Sequence, residues 1–265
     1  MAESFRSPRK IIRRLRLTPL AAGKIKNWPS FMFHYALGLK PRSPYVFRNG
    51  ARIQIGRAID HVPIIEIFLK EDYGKMPDDA VMIDLGANIG VFSVYAATTA
   101  KNATVYAYEP FIEYFKLAEA NARLNGKAAA VTCFNCAVAG RVESRTLYVK
   151  GTDFFFPTLM EQANQGSAEG VRVTCTTLAD IVESNKLERV DMLKMDCEGA
   201  EYEILYPTPR VYLQKIRQIR MEYHNLDDQE RNVRHLERFL TGAGFTITRM
   251  QANSDTNGNL WAVRQ

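Results

Sequence analysis

Charged side chains set inside apolar runs are the chemically suggestive feature of this 265-residue chain. In Leu193-Lys194-Met195-Asp196-Cys197-Glu198-Gly199-Ala200-Glu201, a lysine and a carboxylate interrupt a strand-like run that closes on a glutamate-rich turn. At period two, Lys194 and Asp196 share one face. Ionisable groups at the edge of an α/β sheet are placed to hold ligand or move protons. Glu198 and Glu201 also have a plainer explanation, because acids are favoured in the first turn of a helix. That explanation does not reach Lys194 and Asp196. Glu222-Tyr223-His224 ends a later run, with Glu222 and His224 on one face. Histidine is the side chain best matched to taking a proton near neutral pH. Asp196 and His224 are therefore the candidates for orienting and deprotonating a reacting group, with Lys194 and Glu198 shaping the pocket. A surface histidine beside its neighbouring glutamate is the plainer alternative. Asp196, Glu198, Glu222 and His224 would also offer three oxygens and one nitrogen to a hard cation. Nothing in their spacing compels one, and no metal is assigned.

A second constellation lies upstream. Val81 to Leu85 reads as a strand, Gly86-Ala87-Asn88-Ile89-Gly90 as a tight turn, and Val91 to Thr99 as a helix. Without a Cβ, Gly86 and Gly90 let the backbone come close to a ligand. Unpaired N–H groups at the helix start would face its polar atoms, and Asp84, Ala87 and Asn88 belong to the same expected binding turn. The spacing G-x-x-x-G is not the dinucleotide fingerprint, and no Lys-[Ser/Thr] follows to make a P-loop. What remains is a nucleoside with little phosphate, and S-adenosylmethionine is such a ligand. Thr104 to Tyr108 forms the next strand. Glu109 then stands about 20 residues past the glycine turn, where a carboxylate grips ribose hydroxyls. Pro110 stops that strand, since it has no N–H to donate. Phe111 and Asn135-Cys136-Ala137 are expected at the adenine edge.

These groups need a scaffold. From Ala80 onward, strand and helix patterns alternate, which implies a mostly parallel sheet with right-handed crossovers. Helices are expected over Ile112–Leu124, Thr177–Glu183 and Asp228–Leu240. Further strands are expected over Ala129–Val138, Asp191–Cys197 and Gln218–Tyr223. Arg145–Val149 and Val171–Cys175 read as an added antiparallel pair, and Phe245–Met250 with Leu260–Val263 as a closing hairpin. Phe154-Phe155-Phe156 would be an aromatic wall for the acceptor or core beneath a loop. Residues 1–78 read as an N-terminal extension and residues 79–265 as the ligand-binding domain. The extension holds helical patterns at Phe31–Leu39 and Ile59–Leu69, and a hairpin around Asn49-Gly50.

Charge is uneven. Residues 1–50 hold eleven Lys and Arg against the single Glu3, a net of +10; the whole chain carries +6, leaving −4 on residues 51–265. Arg6, Arg9, Lys10, Arg13, Arg14 and Arg16 lie among Ile11, Ile12, Leu15 and Leu17. Residues 1–20 are therefore a candidate basic amphipathic helix on an anionic membrane surface, or else a solvated tail. No run approaches the ~20 apolar residues of a membrane span, and no compact apolar stretch precedes a cleavage site. A cytoplasmic protein, peripheral to the membrane at most, is expected. Cys133-Phe134-Asn135-Cys136 has C-x-x-C spacing, but Cys175 and Cys197 make no second pair, so buried thiols are expected rather than zinc or disulfides.

Taken together, Ile83 to Ser93, Tyr108-Glu109-Pro110, Asn121 to Asn125, Lys194 to Glu201 and Glu222-Tyr223-His224 resemble the FkbM family of S-adenosylmethionine-dependent methyltransferases. The resemblance runs over roughly residues 80–263, and Lys-x-Asp-x-Glu-Gly-Ala-Glu is its specific part. It implies a Rossmann-like class I methyltransferase fold, with a seven-stranded, mostly parallel sheet, helices on both faces and a C-terminal antiparallel hairpin. It also implies O-methylation of a sugar, glycolipid or natural product. Cys197 stands where the family usually has a small apolar residue. Two alternatives stay open: a nucleic-acid methyltransferase using the basic N-terminus, and a non-catalytic nucleoside-binding module. The Asn/Asp-Pro-Pro-aromatic motif of base-amino methyltransferases is absent.

Overall fold

The computed structural model describes residues 12, 14–150, 159 and 168–264. Phe154–Phe156 and most of the basic run, Arg6 to Arg13, lie outside them. Near the N-terminus, α1 (Thr18–Lys24) and α2 (Trp28–Leu37) each carry a proline in the first turn, where its missing N–H costs nothing. Gly38 closes α2 in the left-handed conformation, at φ 65°. β1 (Tyr45–Val46) and β2 (Arg52–Ile53) form the expected hairpin, with Tyr45 opposite Ile53. The helix expected at Ile59–Leu69 changes pitch along its length. A 3₁₀ turn (Ala58–Asp60) leads into α3 (His61–Ile64) and then a π turn (Ile65–Leu69). Asp60 starts it by accepting the N–H groups of Gly56 and Arg57 at 2.7 and 2.8 Å.

Then β3 (Val81–Leu85), α4 (Val91–Thr99), β4 (Thr104–Tyr108), α5 (Ile112–Leu124) and β5 (Val131–Phe134) follow in the predicted alternation. The strand expected over Ala129–Val138 breaks at Asn135, whose side-chain amide donates to the carbonyls of Glu109 and Pro110 at 3.0 and 2.8 Å. Beyond the break, β6 (Ala137–Val138) pairs with β8 (Ala168–Thr176) rather than with the main sheet, and β7 (Glu143–Lys150) lies antiparallel on the other side of β8. The chain continues through α6 (Leu178–Ser184), β9 (Met192–Met195), α7 (Glu201–Leu205), α8 (Arg210–Leu213) and β10 (Gln218–His224). It ends in α9 (Val233–Gly242) and the hairpin β11 (Phe245–Ala252) with β12 (Asn257–Arg264). α9 starts five residues later than expected because Asp227 gathers the N–H groups of Gln229, Glu230 and Arg231, and Asn232 caps the helix from its side chain.

The seven-stranded sheet has the order β11-β12-β10-β9-β3-β4-β5, with β12 antiparallel to both neighbours and the strands from β10 to β5 parallel. Alternation along β3 divides the core. Met82 joins the apolar cluster of α4, α5 and the N-terminal segment, while Ile83 and Leu85 join the cluster of α6, α7 and α9. Register places Asp84 beside Lys194 on adjacent strands. The polar residues read from sequence thus collect at the carboxyl edge of the sheet, where open α/β folds bind ligands.

Candidate active site

At that edge a cavity of about 340 Å³ opens, within the roughly 300–1,000 Å³ typical of small-molecule sites. The turn after β3 supplies Gly86, Ala87 and Asn88, and the end of β4 supplies Glu109 and Pro110, with Ala137 beside them. Lys194, Asp196, Glu198, Glu222 and His224 line it from β9, the turn after it and β10. The cavity is closed by residues not singled out from sequence: Val62, Pro63, Glu66 and Ile67 from the helical segment, and Tyr73 after it. One signal was available. Glu66 is a lone acid in the apolar run Ile64-Ile65-Glu66-Ile67-Phe68.

Glu109 is held in place by backbone. One carboxylate oxygen accepts the Asn88 N–H and the other the Phe111 N–H, each at 2.8 Å. Burial pushes its pKa up to about 7, against the pull of those bonds. A carboxylate has about four acceptor positions, so lone pairs remain for ligand hydroxyls in the cavity it lines.

Lys194 is not a free cation in the pocket. Its Nζ lies 3.1 Å from the Asp84 carboxylate and donates to the Gly86 and Leu85 carbonyls at 2.8 and 3.3 Å. Burial pulls its pKa down, but the Asp84 and Asp196 charges outweigh it and the ammonium is held protonated. Ser93 donates to the other Asp84 oxygen at 2.6 Å. Asp84 is fully buried, is not among the residues lining the cavity, and anchors the glycine turn through Lys194.

Gly90, Phe111, Asn135 and Cys136 are likewise not among the residues lining the cavity. Gly90 packs on α5: a Cβ there would meet Ala118 at 3.0 Å, so its missing side chain lets α4 and α5 approach. Phe111 is buried against Tyr114 beneath the Arg57 guanidinium. Asn135 clamps the Glu109–Pro110 backbone, and the Cys136 thiol faces the Ala137 and Thr174 carbonyls. Gly86 is needed for a reason beyond ligand approach. With φ 72°, its absent Cβ would sit 1.9 Å from the Asp196 carbonyl oxygen.

His224 sits in a carboxylate frame. Its Nδ1 is 3.1 Å from Glu201 and its Nε2 is 3.7 Å from Glu198. Burial pulls the imidazole pKa down, yet the Glu201 hydrogen bond and the Glu201, Glu198 and Glu222 charges carry it up to about 9. Fully buried Glu201 also accepts the N–H groups of Cys197 and Gly199, which ties the turn after β9 to β10. Burial, then Asp196 and Glu222, push Glu66 up to about 8. Glu222 is raised mainly by burial and accepts from Asn257 at 2.5 Å. Among the described residues no group of three or more His, Cys, Asp or Glu is arranged to hold a metal ion. The quartet Asp196, Glu198, Glu222 and His224 is accordingly not gathered into such a centre. The cysteines are free, as Cys133, Cys136, Cys175 and Cys197.

The sequence model described as the Methyltransferase FkbM domain matches residues 84–247, from the strand-end aspartate to the final hairpin. The chain belongs to the FkbM family of methyltransferases. It is 30% identical over 199 residues to the AMB antimetabolite synthetase AmbE of Pseudomonas aeruginosa, a match covering 62% of this chain but only 9% of that protein. It is 26% identical over 211 residues to the 31-O-demethyl-FK506 methyltransferase FkbM of Streptomyces tacrolimicus, covering 69% and 79% of the two. The crystal structure of Methyltransferase FkbM from Methylobacillus flagellatus KT is similar in fold, at a TM-score of 0.51 and 14% identity over 96% of this chain and 60% of that one. The cofactor of this FkbM-family chain is S-adenosylmethionine. Its residues fit the group. Glu109 keeps acceptor capacity for a ribose, and the Gly86–Asn88 backbone lines the same cavity. Bound there, the cofactor supplies an electron-poor methyl carbon.

Proposed function

We propose that this FkbM-family protein O-methylates a hydroxyl of a sugar, glycolipid or natural product. The observation that carries this reading is the set of proton acceptors in the same cavity as the cofactor-binding turn: Asp196, Glu222 and Glu66 beside Gly86, Asn88 and Glu109. In this reading Glu109 takes the ribose, and the Gly86–Asn88 backbone takes the methionine part. Asp196 accepts the proton from the acceptor hydroxyl oxygen. His224, carried up to about 9 by its carboxylate neighbours, works as a charged orienting group rather than as the base. The helical segment and Tyr73 keep water from the reacting oxygen. The Streptomyces relative, a 31-O-demethyl-FK506 methyltransferase, is in keeping with a hydroxyl acceptor on a natural product. The carboxylate lining argues against a polyphosphate acceptor such as nucleic acid.

Calorimetric titration of S-adenosylmethionine and S-adenosylhomocysteine into wild type and Glu109→Ala tests the cofactor half. Micromolar binding that weakens at least about tenfold in the variant is expected, the loss of a hydrogen bond to a charged group. No binding to folded wild type would sink the reading. For the acceptor half, Asp196→Asn is expected to lower turnover of screened hydroxyl acceptors while cofactor affinity stays within a few-fold.

The reading includes contact of residues 1–20 with an anionic lipid surface, supported by Ile12, Leu15 and Leu20, which are exposed near Arg14 and Arg16. No helix among the described residues is long and apolar enough to cross a membrane.

A further inference from the structure

The charges in the cavity do not balance. Lys194 is satisfied by Asp84 at 3.1 Å, and His224 by Glu201 at 3.1 Å. Glu66, Asp196 and Glu222 line the same space with no cation within ion-pair distance among the described residues; the hydrogen-bond partner of Glu222 is the neutral Asn257 amide, and the His224 charge acts on it only from beyond that distance. Lys70, near Glu66, is exposed and makes no ion pair with it. A separate observation points the same way. Tyr73 is only 7% exposed and lines the cavity, yet its hydroxyl has no hydrogen-bond partner among the described residues. Asp196, Glu222 and Glu66 are the charges that act on that hydroxyl most strongly.

We propose that the acceptor carries a protonated amino group beside the hydroxyl to be methylated, and that Glu66, Glu222 and Tyr73 form the subsite that holds it. This inference rests on the methyltransferase reading above and names its substrate class: an amino alcohol, such as an amino sugar or a hydroxylated amine. A buried carboxylate without a counter-ion gives up its charge by taking a proton, and Glu66 and Glu222 are both raised in that sense. An ammonium restores the ionised forms and gains charge-assisted hydrogen bonds. A neutral polyol brings hydroxyls but no charge. The bound cofactor carries a sulfonium, an α-ammonium and a carboxylate, a net of one positive charge, fewer than the unpaired carboxylates. The subsite also directs the chemistry: an ammonium held by carboxylates has no lone pair to react, so the neighbouring hydroxyl is the atom methylated. A divalent metal is the other cation that carboxylates attract, but these residues are not arranged to ligate one.

The test uses the full chain saturated with S-adenosylhomocysteine, titrated calorimetrically with matched pairs. These are glucosamine against glucose and N-acetylglucosamine, and 2-aminoethanol against ethylene glycol, with magnesium chloride in a parallel arm. The amines are expected to bind about tenfold more tightly than their neutral partners, the value of a hydrogen bond to a charged group. Glu66→Gln should bring that preference below threefold, and Tyr73→Phe should weaken amine binding with the ring and fold kept. Equal binding of amine and neutral partners overturns the proposal. So does failure of every amine to bind, or binding of magnesium in place of the amines. If wild type does not bind S-adenosylhomocysteine at all, the methyltransferase reading itself fails, which is a distinct result.

Discussion

Replacing Gly86 by alanine probes the closest backbone approach in the site. The new Cβ would lie 1.9 Å from the Asp196 carbonyl oxygen and 2.9 Å from its carbon, where real contacts keep 3.0 Å or more. The obstacle is backbone, so no side chain can swing aside; the turn after β3 or the end of β9 must move by about 1 Å, the gap between those distances. The left-handed φ of 72° adds its own penalty for a residue with a Cβ. Overpacking of about 1–3 kcal/mol and backbone strain of about 1–2 kcal/mol sum to roughly 2–5 kcal/mol. At about 2–4 °C per kcal/mol, the melting temperature should fall by roughly 5–15 °C. Asp196 is the residue displaced, so turnover should fall by about 10²-fold, the usual cost of a 1 Å misplacement. Gly126→Ala is the control, because Gly126 shares the left-handed conformation (φ 64°) with nothing within 4 Å of its added Cβ. Thermal melts and cofactor titrations of the two variants decide the matter. A Gly86→Ala protein that melts with Gly126→Ala and binds cofactor like wild type would refute the reasoning.

Two further outcomes follow from the buried charges. Lys194→Met strands the Asp84 carboxylate, which is fully buried, and should cost about 3–5 kcal/mol in urea denaturation. Adding Asp84→Asn should recover part of that, so strictly additive losses in the double-mutant cycle would show that the pair is not coupled. The pH dependence of stability has a definite sign. His224 binds its proton more tightly when folded, so its stabilisation is complete below its unfolded value of about 6.5 and is lost as pH rises through about 9. Glu66, raised to about 8 by burial and by Asp196 and Glu222, likewise binds more proton folded than unfolded, and stability falls between about 4.5 and 8. Urea midpoints of the ligand-free protein should therefore decline from pH 5 to pH 9. Glu201→Gln should remove most of the alkaline part and bring the His224 titration, followed by NMR, down by at least one pH unit, about the strength of one charged hydrogen bond. An unchanged His224 titration would show that Glu201 does not hold its proton.

Apolar runs at β3, β4, β9 and β10, helical periodicity between them and the acid-ended strands determined a mostly parallel sheet with polar residues at its carboxyl edge from the amino-acid sequence alone, and the FkbM resemblance implied its seven strands. Each of those signals is local: the pattern within one element dictates which face is buried, and the residue at its end sits at the sheet edge. Contacts between distant segments carry no such local mark. The pairing of Lys194 with Asp84, 110 positions earlier in the chain, left no mark in either strand, because only the β3–β9 register brings the two alongside. The frame that Glu201 and Glu198 set around His224 was not legible, because it forms only when the turn after β9 packs against β10. The break at Asn135 depends on carbonyls presented by β4. Closure of the cavity by Glu66 and Tyr73 was likewise a tertiary decision. The N-terminal segment places them there by burying Phe47 and Phe68 in the same apolar cluster as α4, because non-directional burial joins segments whose sequences do not refer to one another.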